Sequence, residues 1–349
     1  MQTIEWDPVR SCAVLIDQRK LPGIVEFLCC YHYPEIVKAI SNMTVRGAPA
    51  IGVAAAFGMA LAVQDVERGG QEAVLAALEE AGRALVQARP TAVNLVWAVN
   101  RMLKAAADQM GNLAELRQFI LNEALAMARE DVETNRRMVE IGAQLIEDGD
   151  TILHHCNTGS LATVDWGTAL GVIRMAHAQG KHIHVLVDET RPRLQGSRLT
   201  AWELDQYGIP YDIICDGAAG YYLRAGRVQK VFHGADRVAA NGDLANKVGT
   251  YMLDLAAKTS GVPVYPVFPC STVDLTIHSG DEIEIEERDP AEVLGLQFEG
   301  ERLAPENATA LNPAFDITPH ELITAWVTDL GIVHAPFEEN FLSIQQKDH

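Results

Sequence analysis

The sequence predicts an α/β protein in which a smaller, mainly helical N-terminal domain with a short β region precedes a domain built on a parallel sheet. Two changes along the chain predict this class. Up to about residue 148 the apolar residues mostly recur at helical spacing, whereas from residue 151 short apolar runs alternate with helical stretches. The length of 349 residues also fits two domains, because one hydrophobic core rarely grows beyond about 300 residues. We therefore expect domains at residues 1–148 and 149–349.

The N-terminal domain should open with strands and continue as helices. Apolar runs with strand character lie at residues 13–16 and 25–29. Helical patterns follow at residues 34–42, 49–68, 71–88, 92–109 and 113–147. The last of these is long and charged on one face, as expected of an arm between two domains.

The second domain should alternate strands and helices, which gives a parallel sheet with helices on its faces. Strands are predicted at residues 152–156, 183–188, 211–215, 230–234 and 262–268, and helices at residues 164–179, 197–207 and 246–259. A final helix is predicted with Thr318 as N-cap, Pro319 at the first helical position and Glu321 completing a capping box. A strand at residues 332–336 should follow it.

Ligands of open parallel sheets bind beyond the carboxyl ends of the strands. In this sequence the residues at those ends include a cysteine, several carboxylates and two arginines. They lie at residues 156–159, 188–191, 216–217, 234–237 and 269–272. We expect these side chains to meet at one edge of the sheet.

The net charge of −19 argues against two classes of partner. Nucleic acids and anionic membrane surfaces both require a field of lysines and arginines. A small anionic substrate stays compatible, because a few convergent cations make a local positive pocket. The N-terminal sequence lacks a signal-peptide pattern, and the most apolar stretch, residues 48–63, suits a buried helix better than a membrane span.

The cysteine pattern favours free thiols in a reducing cytoplasm. The six cysteines lie at positions 12, 29, 30, 156, 215 and 270, with no C-x-x-C pair and no Cys/His spacing that suits zinc. His154 and His155 lack a third ligand at metal spacing, so we interpret them as packing or supporting residues. No glycine-rich turn matches the Walker or dinucleotide pattern, so the sequence predicts neither a metal nor a nucleotide cofactor.

Cys156 and Asp236 are the strongest candidates for chemistry. Cys156 ends a predicted strand and precedes a predicted helix, whose dipole would favour the thiolate, although a buried structural cysteine is an equal alternative. Asp236 follows the apolar strand at residues 230–234, and a partly desolvated carboxyl group there could act as a general acid. The alternative for Asp236 is a structural carboxylate that pairs with Arg237 or caps a turn.

Several cations could bind an anion. Asn246 and Lys247 open the helix predicted at residues 246–259, where a lysine opposes the dipole unless an anion is also bound. A salt bridge from Lys247 to Asp243 is the alternative. Arg46 and Arg89 lie in turns beside apolar helices, and arginine can clamp an oxyanion with two hydrogen bonds, but an isolated arginine in a turn is more often a solvated surface residue.

Six stretches taken together resemble the methylthioribose-1-phosphate isomerase family, over nearly the whole chain and in the same order. They are RGAPAIG (46–52), ARPTAVNL (88–95), HCNTGSLAT (155–163), ETRPRLQGSRLTAWEL (189–204), GADRVAANGDLANKVGT (234–250) and NPAFDITP (312–319). The wider superfamily includes regulatory subunits of the initiation factor 2B type and ribose-1,5-bisphosphate isomerases.

The resemblance implies Cys156 and Asp236 as the catalytic pair, with Asp236 as proton donor. It implies substrate binding by Arg46, Gly47, Ala48, Arg89, Gln195, Asn246 and Lys247. It also implies a Rossmann-like second domain, a homodimer and a cofactor-free conversion of 5-methylthioribose 1-phosphate to 5-methylthioribulose 1-phosphate in methionine salvage. Two positions depart from the family pattern: His233 replaces a small apolar residue, and Cys270 replaces threonine.

Three alternative functions can be weighed against the same residues. One alternative is an isomerase of ribose 1,5-bisphosphate or of 5-deoxyribose 1-phosphate. A second phosphate would need extra cations near C5, whereas a methylthio or deoxy tail needs an apolar wall, for which Trp166 and the helix after Arg46 are candidates. A regulatory subunit would have no need of Cys156 and Asp236 together with the phosphate-binding set. A dehydrogenase is disfavoured, because no strand is followed by the dinucleotide fingerprint.

Overall fold

A computed structural model describes residues 2–90 and 92–347, so Thr91 of the ARPTAVNL motif lies outside the described residues. The chain forms two compact units. The first comprises Met1–Asn135 and Gly159–Gly167, and the second comprises Arg136–Thr158 and Thr168–His349. The boundary expected at residue 148 stays a prediction.

The first unit combines a small antiparallel sheet with a helical bundle. Its elements are β1 (Ile4–Asp7), β2 (Cys12–Ile16), β3 (Phe27–Cys30), α1 (Tyr33–Ser41), α2 (Ala48–Gln64), α3 (Gln71–Ala88), α4 (Val93–Ala107) and α5 (Leu113–Ala143), the last of which ends in the second unit. Helix α2 is almost wholly buried and packs against α1, α3 and α4, which explains why its sequence is apolar on every side. All five predicted helices of this region are confirmed, and β1 was not predicted.

The second unit contains the remaining strands and helices. In chain order they are β4 (Thr151–His154), α6 (Ala169–Ala178), β5 (His184–Asp188), α7 (Ala201–Tyr207), β6 (Tyr211–Ile214), α8 (Ala219–Arg224), β7 (Lys230–His233), β8 (Arg237–Ala239), β9 (Leu244–Lys247), α9 (Thr250–Thr259), β10 (Val264–Pro266), β11 (Val273–Asp274), α10 (Ala291–Leu294), β12 (Gln297–Phe298), β13 (Glu301–Arg302), β14 (Phe315–Thr318), β15 (Trp326–Val327), β16 (Ile332–Val333) and α11 (Phe337–Lys347).

Two sheets organise this unit. The larger has the order β10-β7-β4-β5-β6, and every neighbouring pair is parallel, which confirms the predicted α/β class. The second sheet, β11-β8-β9-β14, was not predicted. No helix within the described ranges has both the length and the apolar character needed to cross a membrane.

Two local predictions are wrong. Thr318 ends strand β14, and residues after Pro319 form only a single 3-10 turn, so the capping-box pattern does not start a helix. Asn246 and Lys247 lie in strand β9, and helix α9 begins at Thr250. In both cases the segments pair with each other, Asp316 opposite Asn246, and this long-range pairing overrides the local helix signals.

Candidate active site

Several residues that the sequence singled out lie at the carboxyl ends of the parallel strands. Cys156 follows β4, Asp188 ends β5, Asp216 follows β6 and Asp236 follows β7. Strands β4 and β7 are direct neighbours in the sheet. Cys156 and Asp236 therefore leave the same edge of the sheet from adjacent strands.

The backbone at Cys156 is strained and firmly held. Its φ angle is +66°, which a residue other than glycine seldom adopts, and the residue is 8% exposed. The Cys156 N–H donates to Thr190 Oγ1 at 2.9 Å, and Thr200 Oγ1 donates to the Cys156 carbonyl at 2.7 Å. Thr190 also has a positive φ of +63°. Strain that is fixed by the surrounding hydrogen bonds is typical of functional sites.

The helix-dipole argument for a Cys156 thiolate is not supported. The helix expected from residue 164 begins only at Ala169, and Cys156 is followed by turns and a 3-10 segment, Ser160–Ala162. The first amide groups of α6 are occupied by Thr158, since its carbonyl accepts from Thr168 N–H and its Oγ1 accepts from Leu170 N–H. Helix α6 therefore directs its N-terminal donors to Thr158.

Asp236 lies between β7 and β8, and its backbone N–H donates to the Ala245 carbonyl at 2.8 Å. The residue is exposed, so the partly desolvated pocket expected around its carboxyl group is not provided by the described residues. His233, at the end of β7, is fully buried. Its ring contacts the Gly234 carbonyl at 2.7 Å and Asp254 at 3.0 Å, which anchors the loop that leads to Asp236.

Asn246 and Lys247 are held by β9 rather than by a helix. Asn246 is 4% exposed and donates from Nδ2 to Thr250 Oγ1 at 2.9 Å. Lys247 is half-buried and donates from Nζ to the Ala314 carbonyl at 2.7 Å, 4.6 Å above the Phe315 ring. The carboxylate of Asp243, the alternative partner considered for Lys247, accepts hydrogen bonds from Asn241, Gly280 and His320.

Gln195 has an unsatisfied side-chain acceptor. It directly precedes a π-helical segment, Gly196–Thr200, that continues into α7. The residue is 7% exposed, and its Oε1 is buried without a hydrogen-bond partner among the described residues. A buried acceptor without a partner is costly, so the arrangement suits a ligand that donates a hydroxyl.

In the first unit, Arg46, Gly47 and Ala48 form the start of α2. Gly47 is the N-cap with a φ of +95°, and a Cβ atom on it would lie 2.3 Å from the Ala162 carbonyl oxygen. Only glycine fits this close backbone approach. The RGA motif and the 3-10 segment after Cys156 therefore pack together within the first unit.

Arg89 is the C-cap of α3 and precedes α4, which begins at Val93. The first turns of α2 and α4 are close, because a Cβ atom on Gly52 of α2 would lie 3.1 Å from the Asn94 carbonyl oxygen of α4. Two helix N-termini and two half-buried arginines, Arg46 and Arg89, thus lie in the same part of the first unit. Amide donors at helix N-termini favour anions.

One histidine–carboxylate group resembles a metal site, which the linear spacing had hidden. Ligand atoms of His155, Asp188 and Asp216 lie within 4.8 Å of one another. Most of these atoms already make hydrogen bonds within the protein. The ring of His155 contacts Asp188 and the Val248 carbonyl, and both Asp216 oxygens accept backbone N–H groups at 2.7 Å. This group therefore offers a metal ion only Asp188 Oδ1, which has no partner among the described residues.

Sequence reasoning assigned no role to three supporting residues. Thr190 and Thr200 fix the Cys156 backbone, and Asp188 binds His155. Asp188 and Thr190 lie in one of the predicted strand ends, which was their only signal in the sequence. Thr200 carries no local signal, because its role depends on a contact between residues 44 positions apart.

Comparison with known proteins gives a consistent result. Residues 44–335 match the initiation factor 2 subunit family. The chain is 51% identical over 343 residues to the methylthioribose-1-phosphate isomerase of Thermotoga maritima, with 98% of each chain covered. It is 50% identical over 338 residues to that of Thermosipho melanesiensis, covering 97% of this chain and 96% of the relative.

Two solved structures share the fold over nearly the full length. The 5-methylthioribose 1-phosphate isomerase of Pyrococcus horikoshii OT3 has a TM-score of 0.93 at 44% identity, covering 99% of this chain and 96% of the other. The translation initiation factor eIF-2B, subunit delta, of A. fulgidus has a TM-score of 0.90 at 42% identity, covering 99% of both. The chain therefore belongs to the methylthioribose-1-phosphate isomerase family, within the wider initiation factor 2 subunit family.

Proposed function

We propose that this protein converts 5-methylthioribose 1-phosphate to 5-methylthioribulose 1-phosphate, with Cys156 and Asp236 as the catalytic pair. One observation carries the proposal: the two residues follow adjacent parallel strands, β4 and β7, at the carboxyl edge of the sheet. About 50% identity to proteins named for this activity, over nearly the whole chain, supports the substrate.

The substrate cannot open spontaneously to an aldehyde, because its anomeric oxygen carries the phosphate. Asp236 in its protonated form donates to the ring oxygen as the bond from that oxygen to C1 breaks. Because Asp236 is exposed, the bound sugar itself must exclude water from this carboxyl group. Hydrogen then has to move from C2 to C1.

Two routes achieve this transfer. In one, the Cys156 thiolate removes the C2 proton, an enol phosphate forms, and C1 is protonated as the C2 hydroxyl loses its proton. In the other, hydride moves from C2 to C1 with its electron pair while the C2 hydroxyl loses its proton. A hydride shift retains the migrating hydrogen, and in the proton-transfer route the low exposure of Cys156 also favours retention, since exchange with water requires access.

Substrate binding is proposed for the seven residues that match the family motifs, and each is supported by its own surroundings. Arg46, Gly47 and Ala48 lie at the start of α2, and Arg89 precedes the nearby start of α4, which supports a role of these residues in phosphate binding. In the second unit, Asn246 and Lys247 provide further donors. The Oε1 atom of Gln195, which has no partner in the part of the chain that the structure describes, accepts a hydrogen bond from a sugar hydroxyl.

Location and assembly belong to the same proposal. All six cysteines are free thiols, which fits a reducing cytoplasm. The family resemblance supports a homodimer, and sedimentation of the purified protein tests it. A mass near twice the 38.1 kDa chain is the expected result, and a mass of one chain would contradict it.

The first experiment measures ketose formation from 5-methylthioribose 1-phosphate, with ribose 1,5-bisphosphate in parallel. We expect turnover of the methylthio sugar, and losses of at least about 100-fold in kcat for Cys156→Ser and Asp236→Asn with Kd within about 3-fold. Preference for the bisphosphate would move the protein to the sister activity. No turnover of either sugar would favour a regulatory role, as the name of the A. fulgidus relative suggests.

Substrate deuterated at C2 tests the hydride route, because only a proton transfer can lose the deuterium to water. Deuterium found at C1 of the ketose supports a hydride shift or a shielded proton transfer, and deuterium lost to water requires a proton transfer through an exchangeable group. Full activity of Asp236→Asn would remove Asp236 from the mechanism in either case.

A further inference from the structure

His155 connects two segments that both carry proposed active-site residues. Its Nδ1 lies 2.9 Å from Asp188 Oδ2, and its Nε2 lies 3.1 Å from the Val248 carbonyl oxygen. The ring and the Asp188 carboxyl group are each about 1% exposed. Cys156 directly follows His155 in the chain, and Val248 directly follows Lys247. The ring therefore bridges the end of β4 and the end of β9.

The protonation of the ring follows from its partners. A carbonyl oxygen only accepts hydrogen bonds, so Nε2 carries a proton toward Val248. Burial disfavours the charged ring, but the hydrogen bond and charge of Asp188 outweigh burial and raise the pKa of His155. Burial raises the pKa of Asp188 to about 6, so the carboxyl group is ionised at neutral pH. Both ring nitrogens then donate, and the bonds are charge-assisted.

Other titratable groups face His155 from the elements packed around it. They are His154 on β4, Asp216 after β6, His233 on β7 with its partner Asp254 on α9, and Asp316 on β14. Burial lowers the pKa of His154 to about 3, so that ring is neutral. Asp188, at direct hydrogen-bond distance, is the group that compensates the His155 charge.

The backbone on the other side of the ring is shaped to receive it. Gly249 has a φ of +106°, and a Cβ atom on it would lie 2.9 Å from His155 Cε1. The Gly249 N–H donates to Asp316 Oδ2 at 2.7 Å. The segment after Lys247 is thus held by the ring of His155 on one side and by a carboxylate on the other.

We propose that His155 is a positioning residue, whose hydrogen bond to the Val248 carbonyl fixes the Asn246–Lys247 segment relative to Cys156. The proposal rests on the function proposed above, since it concerns the binding of the sugar phosphate by that segment. Asp188 fixes the orientation of the ring. Loss of the Val248 bond should weaken substrate binding more than it changes the chemical step.

Two substitutions separate the bonds of the ring. His155→Gln can place an amide N–H near the position of Nε2 and keep the bond to Val248. His155→Asn can place one near Nδ1, which keeps the bond to Asp188 and loses the bond to Val248. Asp188→Asn should also keep the Val248 bond, because a neutral ring can retain its Nε2 proton and accept an amide N–H at Nδ1.

The measurement is calorimetric binding of 5-methylthioribose 1-phosphate in the Cys156→Ser background, with kcat and KM measured for the same changes in the active enzyme. We expect His155→Asn to raise Kd and KM by about 10-fold or more, with kcat within about 3-fold. His155→Gln and Asp188→Asn should stay within about 3-fold of their parent. Leu223→Ala, a core cavity in the same unit, should lower the melting temperature and leave Kd unchanged.

Several results would overturn the proposal. Equal losses in the Asn and Gln variants at His155 would show that the bond to Val248 is not the determinant, as would native affinity in both. If His155→Asn does not fold, a 10-fold loss in either His155→Gln or Asp188→Asn has the same consequence. Turnover by the Cys156→Ser parent would instead reject the proposed role of Cys156, while the affinities would still test His155.

Discussion

Replacement of Asp131 by asparagine should change the pH dependence of stability. Asp131 lies in α5, and its Oδ2 accepts a 2.8 Å hydrogen bond from the Val164 N–H, in the segment between Cys156 and α6. Burial raises the pKa of Asp131 to about 7, against the lowering effect of the Val164 bond. An asparagine retains an oxygen that can accept from Val164 and carries no charge.

The sign follows from the direction of the shift. An unfolded chain binds the Asp131 proton near the ordinary pKa of 3.8, and the folded chain binds it up to about 7. The folded state therefore holds the extra proton between these values, and the free energy of unfolding falls as pH rises from about 4 to about 7. The asparagine variant lacks this loss, so its advantage over the native protein should grow with pH.

The size of the effect can be bounded. The pH rises by about 2 units from pH 5 to the folded pKa of Asp131, and each unit lowers the free energy of unfolding by about 1.4 kcal/mol. The upper limit of the change between pH 5 and pH 8 is therefore about 3 kcal/mol. Asp131 keeps partial contact with solvent, which screens the penalty, so we expect about 1.5 kcal/mol.

Urea unfolding at pH 5 and pH 8 tests this prediction. The native protein, Asp131→Asn and the control Glu133→Gln, an exposed carboxyl group on the same helix, would be compared. The control should change little at either pH. An advantage of Asp131→Asn that is equal at both pH values, or that shrinks as pH rises, would refute the reasoning.

Two further predictions concern the substrate-binding residues. Gly47→Ala forces a Cβ atom to within 2.3 Å of the Ala162 carbonyl at a positive φ, so we expect a loss of about 2 kcal/mol in stability and at least about 10-fold in kcat/KM. Gly23→Ala, which has ordinary space, is the control, and native behaviour of Gly47→Ala would contradict the close approach. Gln195→Ala should raise KM up to about 10-fold with little change in kcat, whereas the exposed Gln206→Ala should not; an unchanged KM would exclude Gln195 as a hydroxyl partner.

Much of the fold and of the candidate site is readable from the sequence, because the signals are local. The apolar spacing of α2 to α5 predicts helices within a few residues of their observed bounds. The ends of β4, β5, β6 and β7 are also identified by local apolar runs, and parallel strands bring their carboxyl ends to one edge of the sheet. That rule places Cys156, Asp188 and Asp236 among the residues expected at this edge, and the family resemblance then implies the roles of Cys156 and Asp236.

Only the tertiary structure decided the elements and contacts that depend on distant partners. The capping-box pattern at Thr318 and the helix start expected at Asn246 are sound local signals, yet both segments are strands because β14 and β9 pair across some 70 residues of sequence. The bond of His155 to Val248 spans 93 residues in the same way. Local sequence encodes intrinsic conformational preference, whereas a hydrogen-bond partner far along the chain exists only after folding, and its free energy outweighs that preference.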